Sequence, residues 1–295
     1  MSHVALIVNP LATAVDEHRV GLVERTLAQH AEVDTHLTQH AGHATELARE
    51  VAREVEAIFV LSGDGGFNEV VNGLGRDAPP VGCIPGGGTS VFPRALGLSR
   101  DPVQAAEQLA EAFREGRTQT ISVGRVNGRR FLFSAGIRFD AELVRRIEAN
   151  RSRDGRPGDA AFLATVVKLI AEHRGRFEPL LDVDGVGRAA FVLVANADPY
   201  TYLGSIPIHV APNATLDSGL HLVAPTDVRP WTIPRLARFV VSGKGLPKSV
   251  HVVRDTDRIE VRCDHPLPLQ ADGEDLGDVT DAMFEAERGA IDVLV

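Results

Sequence analysis

Hydrophobic positions follow two alternating periods over the first 118 or so residues and a different arrangement afterwards. Short unbroken apolar runs at residues 4–8, 57–61 and 81–84 read as strands buried on both faces. Between them, apolar residues return every three or four positions, with Val20, Val23 and Leu27 in one segment and Leu47, Val51 and Val55 in another. That spacing predicts helices near 16–30 and 43–55, and two more over 67–74 and 102–115. Residues 31–37 read as a further strand, closed by the turn Thr38-Gln39-His40-Ala41-Gly42. Strands alternating with helices predict right-handed βαβ units and a largely parallel sheet.

Past residue 118 the strands dominate. Runs at 120–126 and 129–134 read as a hairpin around Asn127-Gly128, a dipeptide suited to a tight turn. Helical spacing covers 140–149 and 159–174; strand-like runs follow at 179–184, 189–196, 220–224, 249–254 and 258–263, with a helix near 230–242. The chain closes on an apolar run at 290–295. The expectation is an α/β domain over 1–120 and a mostly antiparallel β-rich domain over 121–284. The strand near 285–295 is a candidate to return to the first domain.

In such α/β sheets, ligands bind beyond the carboxyl ends of the strands. Asn9, Thr38, the turn Ser62-Gly63-Asp64-Gly65-Gly66 and the turn Gly86-Gly87-Gly88-Thr89-Ser90 all fall at that edge. Glycines let backbone N–H groups approach an anion, and a following helix adds its positive N-terminus. Two such turns at one edge read as a phosphate cradle. Asp64 also has a plainer reading as a helix cap, and Asn68 and Glu69 have one as residues packed at a helix start.

Composition narrows the partners. The chain has 295 residues and a formal net charge of −9, which argues against nucleic acid as the main partner. Cys83 and Cys263 lie far apart in apolar surroundings and read as buried free thiols. The N-terminus lacks a basic segment before its apolar run, and no run approaches the ~20 residues that span a bilayer. The expectation is a cytoplasmic chain, peripheral at the inner face of the membrane. His209, His221 and His251 have no ligand spacing and read as ordinary strand residues.

The assembled motifs resemble the diacylglycerol kinase-like lipid kinases, bacterial relatives of diacylglycerol and sphingosine kinases. The resemblance runs through Val8-Asn9-Pro10, Gly63-Asp64-Gly65, Asn68-Glu69-Val70-Val71-Asn72-Gly73-Leu74, Pro85-Gly86-Gly87-Gly88-Thr89, Ala135-Gly136, Val194-Ala195-Asn196 and Asp272-Gly273-Glu274. It implies an N-terminal nucleotide-binding α/β domain with a largely parallel sheet of the NAD kinase/diacylglycerol kinase kind. It also implies a C-terminal, mostly antiparallel β-sandwich domain, with the active site in the cleft between. The implied reaction is Mg2+-dependent transfer of the γ-phosphoryl group of ATP to a lipid hydroxyl at a membrane surface. Ser62, Gly63, Asp64, Gly65, Gly66, Asn68, Glu69, Gly87 and Gly88 would then hold the nucleotide, completed by Asn9, Thr38 and Thr89. Asp64 would also face the nucleotide's Mg2+. An alcohol needs a carboxylate to take its proton, and the resemblance assigns that base to Asp272 first, with Glu274 close behind; without it, Asp-Gly reads first as a hairpin turn.

The chain departs from the family in particular places. Gly-Gly-Asp-Gly-Thr reads Ser62-Gly63-Asp64-Gly65-Gly66, so a threonine hydroxyl is replaced by hydrogen. Gly-x-Gly-x-Asp reads Gly136-Ile137-Arg138-Phe139-Asp140, and the metal-associated Asp-Gly of the second domain reads Ser218-Gly219, which leaves Asp217 as the acid for a structural Mg2+. Two further readings stand beside the kinase: a nucleotide-binding regulator or lipid sensor with little catalysis, and an NAD kinase, against which the 68–74 segment argues. The basic set Arg145, Arg146, Arg151, Arg153, Arg156, Lys168, Arg174 and Arg176 is a candidate membrane contact. Exposed strands in the second domain make a homodimer a further expectation.

Overall fold

The computed structural model describes residues 2–149 and 158–295. The chain divides into two compact units, Met1–Ser122 with Arg288–Val295, and Val123–Glu287. Unit 1 runs β1 (His3–Val8), α1 (Glu17–Leu27), β2 (Glu32–Leu37), α2 (His43–Val51), β3 (Ala57–Ser62), α3 (Asp64–Gly73), β4 (Val81–Pro85), α4 (Val91–Ala95) and α5 (Pro102–Glu115). Its strands lie in the order β2-β1-β3-β4, all parallel. The end of the chain adds a parallel pairing on the far side of β4, Val293 opposite Val81.

Local chemistry sets the helix ends. Asp16 caps α1 by accepting from the Arg19 N–H. Asp101 accepts from the Val103 and Gln104 N–H groups ahead of α5, which starts on Pro102 and stops at Gly116 in the left-handed conformation; this is the expected proline-first, glycine-last asymmetry. Leu6, Phe59 and Leu61 of the sheet pack with Leu27 and Leu109 of the helices. Each such side chain contributes about 1.5–3 kcal/mol by leaving water. Helix α3 begins at Asp64, three residues earlier than the apolar spacing predicts, because the glycine turn is itself the first turn of the helix.

Strand β5 (Thr118–Val126) leads into unit 2. There follow β6 (Arg129–Phe131), β7 (Ser134–Ile137), α6 (Phe139–Ala149), α7 (Asp159–Glu172), β8 (Leu181–Val183), β9 (Gly187–Ala189), β10 (Val192–Ala195), β11 (Thr201–Leu203) and β12 (Ile206–Ile208). The chain continues with β13 (Leu220–Pro225), α8 (Ile233–Ser242), β14 (Val250–Thr256), β15 (Arg258–Ala271) and β16 (Glu274–Leu294). The order β14-β13-β10-β7-β15-β16 is antiparallel throughout. Phe131, Ile137, Leu222, Val261 and Phe284 lie in its core. The hairpin at Asn127-Gly128 forms with both residues at positive φ. The single run expected over 189–196 is instead two strands, and β15 extends well past residue 263. Register shifts between Arg262 and Leu267 break the alternation that would have revealed the longer strand. The short β11–β12 hairpin pairs Thr201 with Ile208, and its three-residue strands are too short to show an alternating pattern in the sequence.

Candidate functional site

The two glycine turns of unit 1 are built against each other. The Gly86 N–H donates to the Ser62 carbonyl at 2.7 Å, and the Ala14 N–H donates to the Gly86 carbonyl at 2.8 Å. A Cβ on Gly87 would stand 2.9 Å from the Gly63 Cα, so the turns approach at a distance only glycine allows. Asp64, 8% exposed, accepts from the Val91 N–H at 3.0 Å and the Phe92 N–H at 2.9 Å. It therefore caps α4 from across the sheet edge. Helix α4 needs such a cap, because its own N-cap residue, Ser90, sits at φ 48 and offers it no side-chain bond. The Ser90 hydroxyl donates instead to the Gly87 carbonyl at 3.0 Å.

Ser62 stands against Gly66. A Cβ on Gly66 would lie 2.1 Å from the Ser62 Oγ, so the serine side chain fills the space a threonine at 66 would take. Ser62 is 2% exposed and its Oγ has no hydrogen-bond partner. A buried hydroxyl without a partner is costly unless a ligand satisfies it. Ser62 therefore occupies the volume that a side chain at position 66 would need.

Asn9, Thr38 and the two turns follow β1, β2, β3 and β4 in turn, so the structure brings them to one edge, where β1 lies between β2 and β3. The Asn9 side chain accepts from the Leu11 N–H at 3.0 Å and shapes its loop. Thr38 is anchored by its N–H to the Val8 carbonyl. Gly65, Gly66, Gly87, Gly88 and Thr89 line the turns themselves. Asn68 and Glu69 lie within α3. Asn68 is buried and accepts from the Asn72 side chain at 3.0 Å. Glu69 accepts from the Ala44 N–H at 3.3 Å, capping α2, whose N-cap Gly42 has no side chain to do so.

Among the described residues, neither Asp64 nor Asp217 belongs to a cluster of three metal-ligating side chains; His40, His43 and Glu46 form such a cluster. The His43 Nδ1 already accepts the Gln39 N–H at 3.0 Å, which places the proton of the neutral ring on Nε2. That leaves one imidazole and one carboxylate, fewer ligands than a closed metal site needs.

In unit 2, β15 and β16 are joined by a two-residue turn at Asp272-Gly273, with Ala271 opposite Glu274. Both turn residues have positive φ, 48° and 79°, as a tight hairpin of this hand demands. The Asp272 carboxylate, 2% exposed, accepts from the Leu132 N–H at 2.6 Å, the Phe133 N–H at 3.0 Å and the Ser134 N–H at 3.1 Å. Glu274 is partly exposed and pairs with Arg129. The two carboxylates flanking one glycine therefore differ: Asp272 is buried under three backbone N–H groups, whereas Glu274 is partly exposed and ion-paired.

A buried relay supports this turn. The Gly273 N–H donates to the Gln270 side-chain carbonyl at 2.9 Å, and the Gln270 amide donates to Asp140, which also accepts from the Tyr200 hydroxyl. Burial pushes the Asp140 carboxyl up to about 6, against the opposing pull of these two donors. Gly136 leaves the room: a Cβ there would stand 2.8 Å from the Asp140 carboxylate. Arg138, at φ 80, turns inward and donates to the Glu178 and Ala190 carbonyls, with its guanidinium 5.7 Å from the Phe177 ring centre. The glycine of the family pattern is thus replaced at a left-handed position by an arginine held in place by its own bonds. Nothing in the sequence marks Gln270 or Tyr200, and Asp140 stands in a motif that gives it no role.

Residues 3–126 match the family model described as the diacylglycerol kinase catalytic domain. Residues 133–295 match the YegS C-terminal NAD kinase beta sandwich-like domain. The chain belongs to the diacylglycerol kinase-like lipid kinases. It is 27% identical over 280 residues to the diacylglycerol kinase of Bacillus subtilis (strain 168), covering 93% of this chain and 90% of that one. The diacylglycerol kinase of Staphylococcus carnosus (strain TM300) is 36% identical over 104 residues, 34% of this chain and 33% of that protein. A crystal structure of a diacylglycerol kinase from Bacillus anthracis str. Sterne has the same fold, with a TM-score of 0.74 at 23% identity over 99% of this chain and 96% of that one.

Proposed function

We propose that the chain transfers the γ-phosphoryl group of ATP to a hydroxyl of a diacylglycerol- or sphingoid-like lipid. The observation that carries this reading is the cradle at Ser62–Gly66 and Gly86–Ser90. It offers an orphaned buried hydroxyl, glycine-only approach and the start of α3, all suited to phosphate oxygens. Backbone N–H groups of the turns and the Ser62 hydroxyl would orient the phosphates. The donor set fits phosphate better than a protein-held cation, because both Asp64 oxygens already accept backbone bonds. Mg2+, when bound with the nucleotide, would neutralise phosphate charge and take most of its ligands from phosphate oxygens and water.

The lipid hydroxyl oxygen forms the new bond to phosphorus as the bond from the γ-phosphorus to its bridging oxygen breaks and ADP leaves. Glu274 accepts the hydroxyl proton, on the ground that its carboxylate is the more accessible of the pair, and Asp272 keeps the turn in shape. Incubation with ATP carrying a labelled γ-phosphate and a panel of diacylglycerol, sphingoid base and monoacylglycerol should label a lipid. Labelling of NAD instead, or nucleotide binding with no labelled lipid, would overturn this reading. Retained turnover in Glu274→Gln, with loss in a folded Asp272→Asn, would move the base to Asp272.

A further inference from the structure

The basic cluster that the sequence offers for membrane contact is largely committed elsewhere. Arg145 is paired with Asp275 at 2.5 Å and Asp278 at 2.7 Å, and Arg146 with Glu172 at 2.6 Å. Arg151, Arg153 and Arg156 lie outside the described residues. A second basic stretch has a different character. Between Asp227 and Asp255 the chain has no acidic residue and six cations, Arg229, Arg235, Arg238, Lys244, Lys248 and Arg254, in a protein whose net charge is −9. It also holds the chain's one tryptophan.

Helix α8 lies in the middle of this stretch and is strongly two-sided. Ile233 and Leu236 pack against the cluster of Phe177, Ala190 and Phe191, and Phe239 is buried. Arg235, Arg238 and Val241 recur at spacings of three, which brings them to the opposite face, and Trp231 lies in the turn just before the helix. All four are exposed, Trp231 at 69%. Arg229 is paired with Asp227. Arg235, Arg238, Lys244 and Lys248 are exposed and, among the described residues, make no ion pair.

We propose that the outer face of α8, with the loop through Lys248, docks this protein on an anionic lipid bilayer. A tryptophan and a valine beside unpaired cations suit a surface whose headgroups are negative and whose interior is apolar. A polyanion such as nucleic acid would use the cations but leave Trp231 and Val241 unmatched, and the chain's overall charge opposes it. The inference rests on the lipid kinase reading for its purpose, since docking brings a water-dispersed chain to a substrate that lies in a membrane.

Trp231 is its own reporter. With vesicles of equimolar phosphatidylcholine and phosphatidylglycerol, the full chain should cosediment and its tryptophan emission should shift to the blue. Vesicles of phosphatidylcholine alone should do neither, and added salt should reverse the effect. Arg235→Gln with Arg238→Gln should weaken partition about ten- to thirty-fold, since each basic residue near such a surface contributes about 1 kcal/mol. Its thermal unfolding should match the wild type. The absence of an emission shift, equal partition of the double variant, or preference for an oligonucleotide over vesicles would each overturn the proposal. Turnover on lipid in neutral detergent micelles separates the two readings, because the double variant should match the wild type there. If the wild type has no turnover in micelles, the kinase reading fails while vesicle binding stands or falls on its own result.

Discussion

The Ser62 hydroxyl lies 2.1 Å from where a side chain on Gly66 would begin. The two positions share one space: the Ser62 side chain occupies the volume that a side chain at Gly66 would need.

The shared space predicts strong coupling. Gly66→Thr alone should cost about 1–3 kcal/mol through overpacking against Ser62. Ser62→Gly alone should weaken ATP binding, by about tenfold for one lost hydrogen bond. The double variant should recover both stability and binding, with a coupling energy of about 1–3 kcal/mol. Urea denaturation and nucleotide titration of the four proteins measure it, and strictly additive effects would refute the coupling.

Asp140 should make the protein less stable as the pH rises from about 4 to 6. Its folded carboxyl titrates at about 6 against an ordinary value of 3.8, so the folded state holds the proton more tightly in that window. Above pH 6 the full cost is present, about 3 kcal/mol. Asp140→Asn removes the titrating group, while its side-chain carbonyl still accepts from the Tyr200 hydroxyl or the Gln270 amide. The melting-temperature advantage of this variant should be larger at pH 7.5 than at pH 4.5; a constant difference would show that Asp140 does not titrate there.

Asp272 and Glu274 should separate cleanly under mutation. Asp272→Asn presents an N–H2 group to a nest of three backbone donors and should lose about 3 kcal/mol or more of stability. Glu274→Gln weakens a partly exposed ion pair with Arg129 and should stay within about 1 kcal/mol of the wild type. Its kcat should nevertheless fall about a hundredfold or more if it accepts the proton. Chemical denaturation and steady-state kinetics on both variants give the two readouts.

The thiols should differ in reactivity. Burial, with the Asp64 charge adding to it, pushes the Cys83 thiol far above its ordinary range, while the half-buried Cys263 is pushed up to about 11. Native protein at pH 9.5 should be alkylated slowly at Cys263 and not at Cys83; in denaturant both should react. Mass spectrometry of the labelled peptides checks this, and native labelling of Cys83 would place it nearer solvent than its burial implies.

Much of this protein is legible in the sequence because its causes are local. Apolar runs and three-to-four spacing mark β1, β3, β4 and the helices between them, and turn stereochemistry marks Asn127-Gly128 and Asp272-Gly273. The glycine turns are visible because only glycine tolerates such approach. What the sequence does not determine is where each polar group finds its partner. Asp64 caps a helix in another turn, Glu69 caps α2, and Asp272 takes three N–H groups from residues 132–134. Arg145 and Arg146 are neutralised while the cations of α8 stay exposed. Hydrogen-bond and charge pairing saturate across long sequence separations, so only the tertiary structure decided that Asp272 is buried under backbone N–H groups while Glu274 stays partly exposed. It likewise decided which basic stretch faces the solvent, and that Ser62 fills the gap at Gly66.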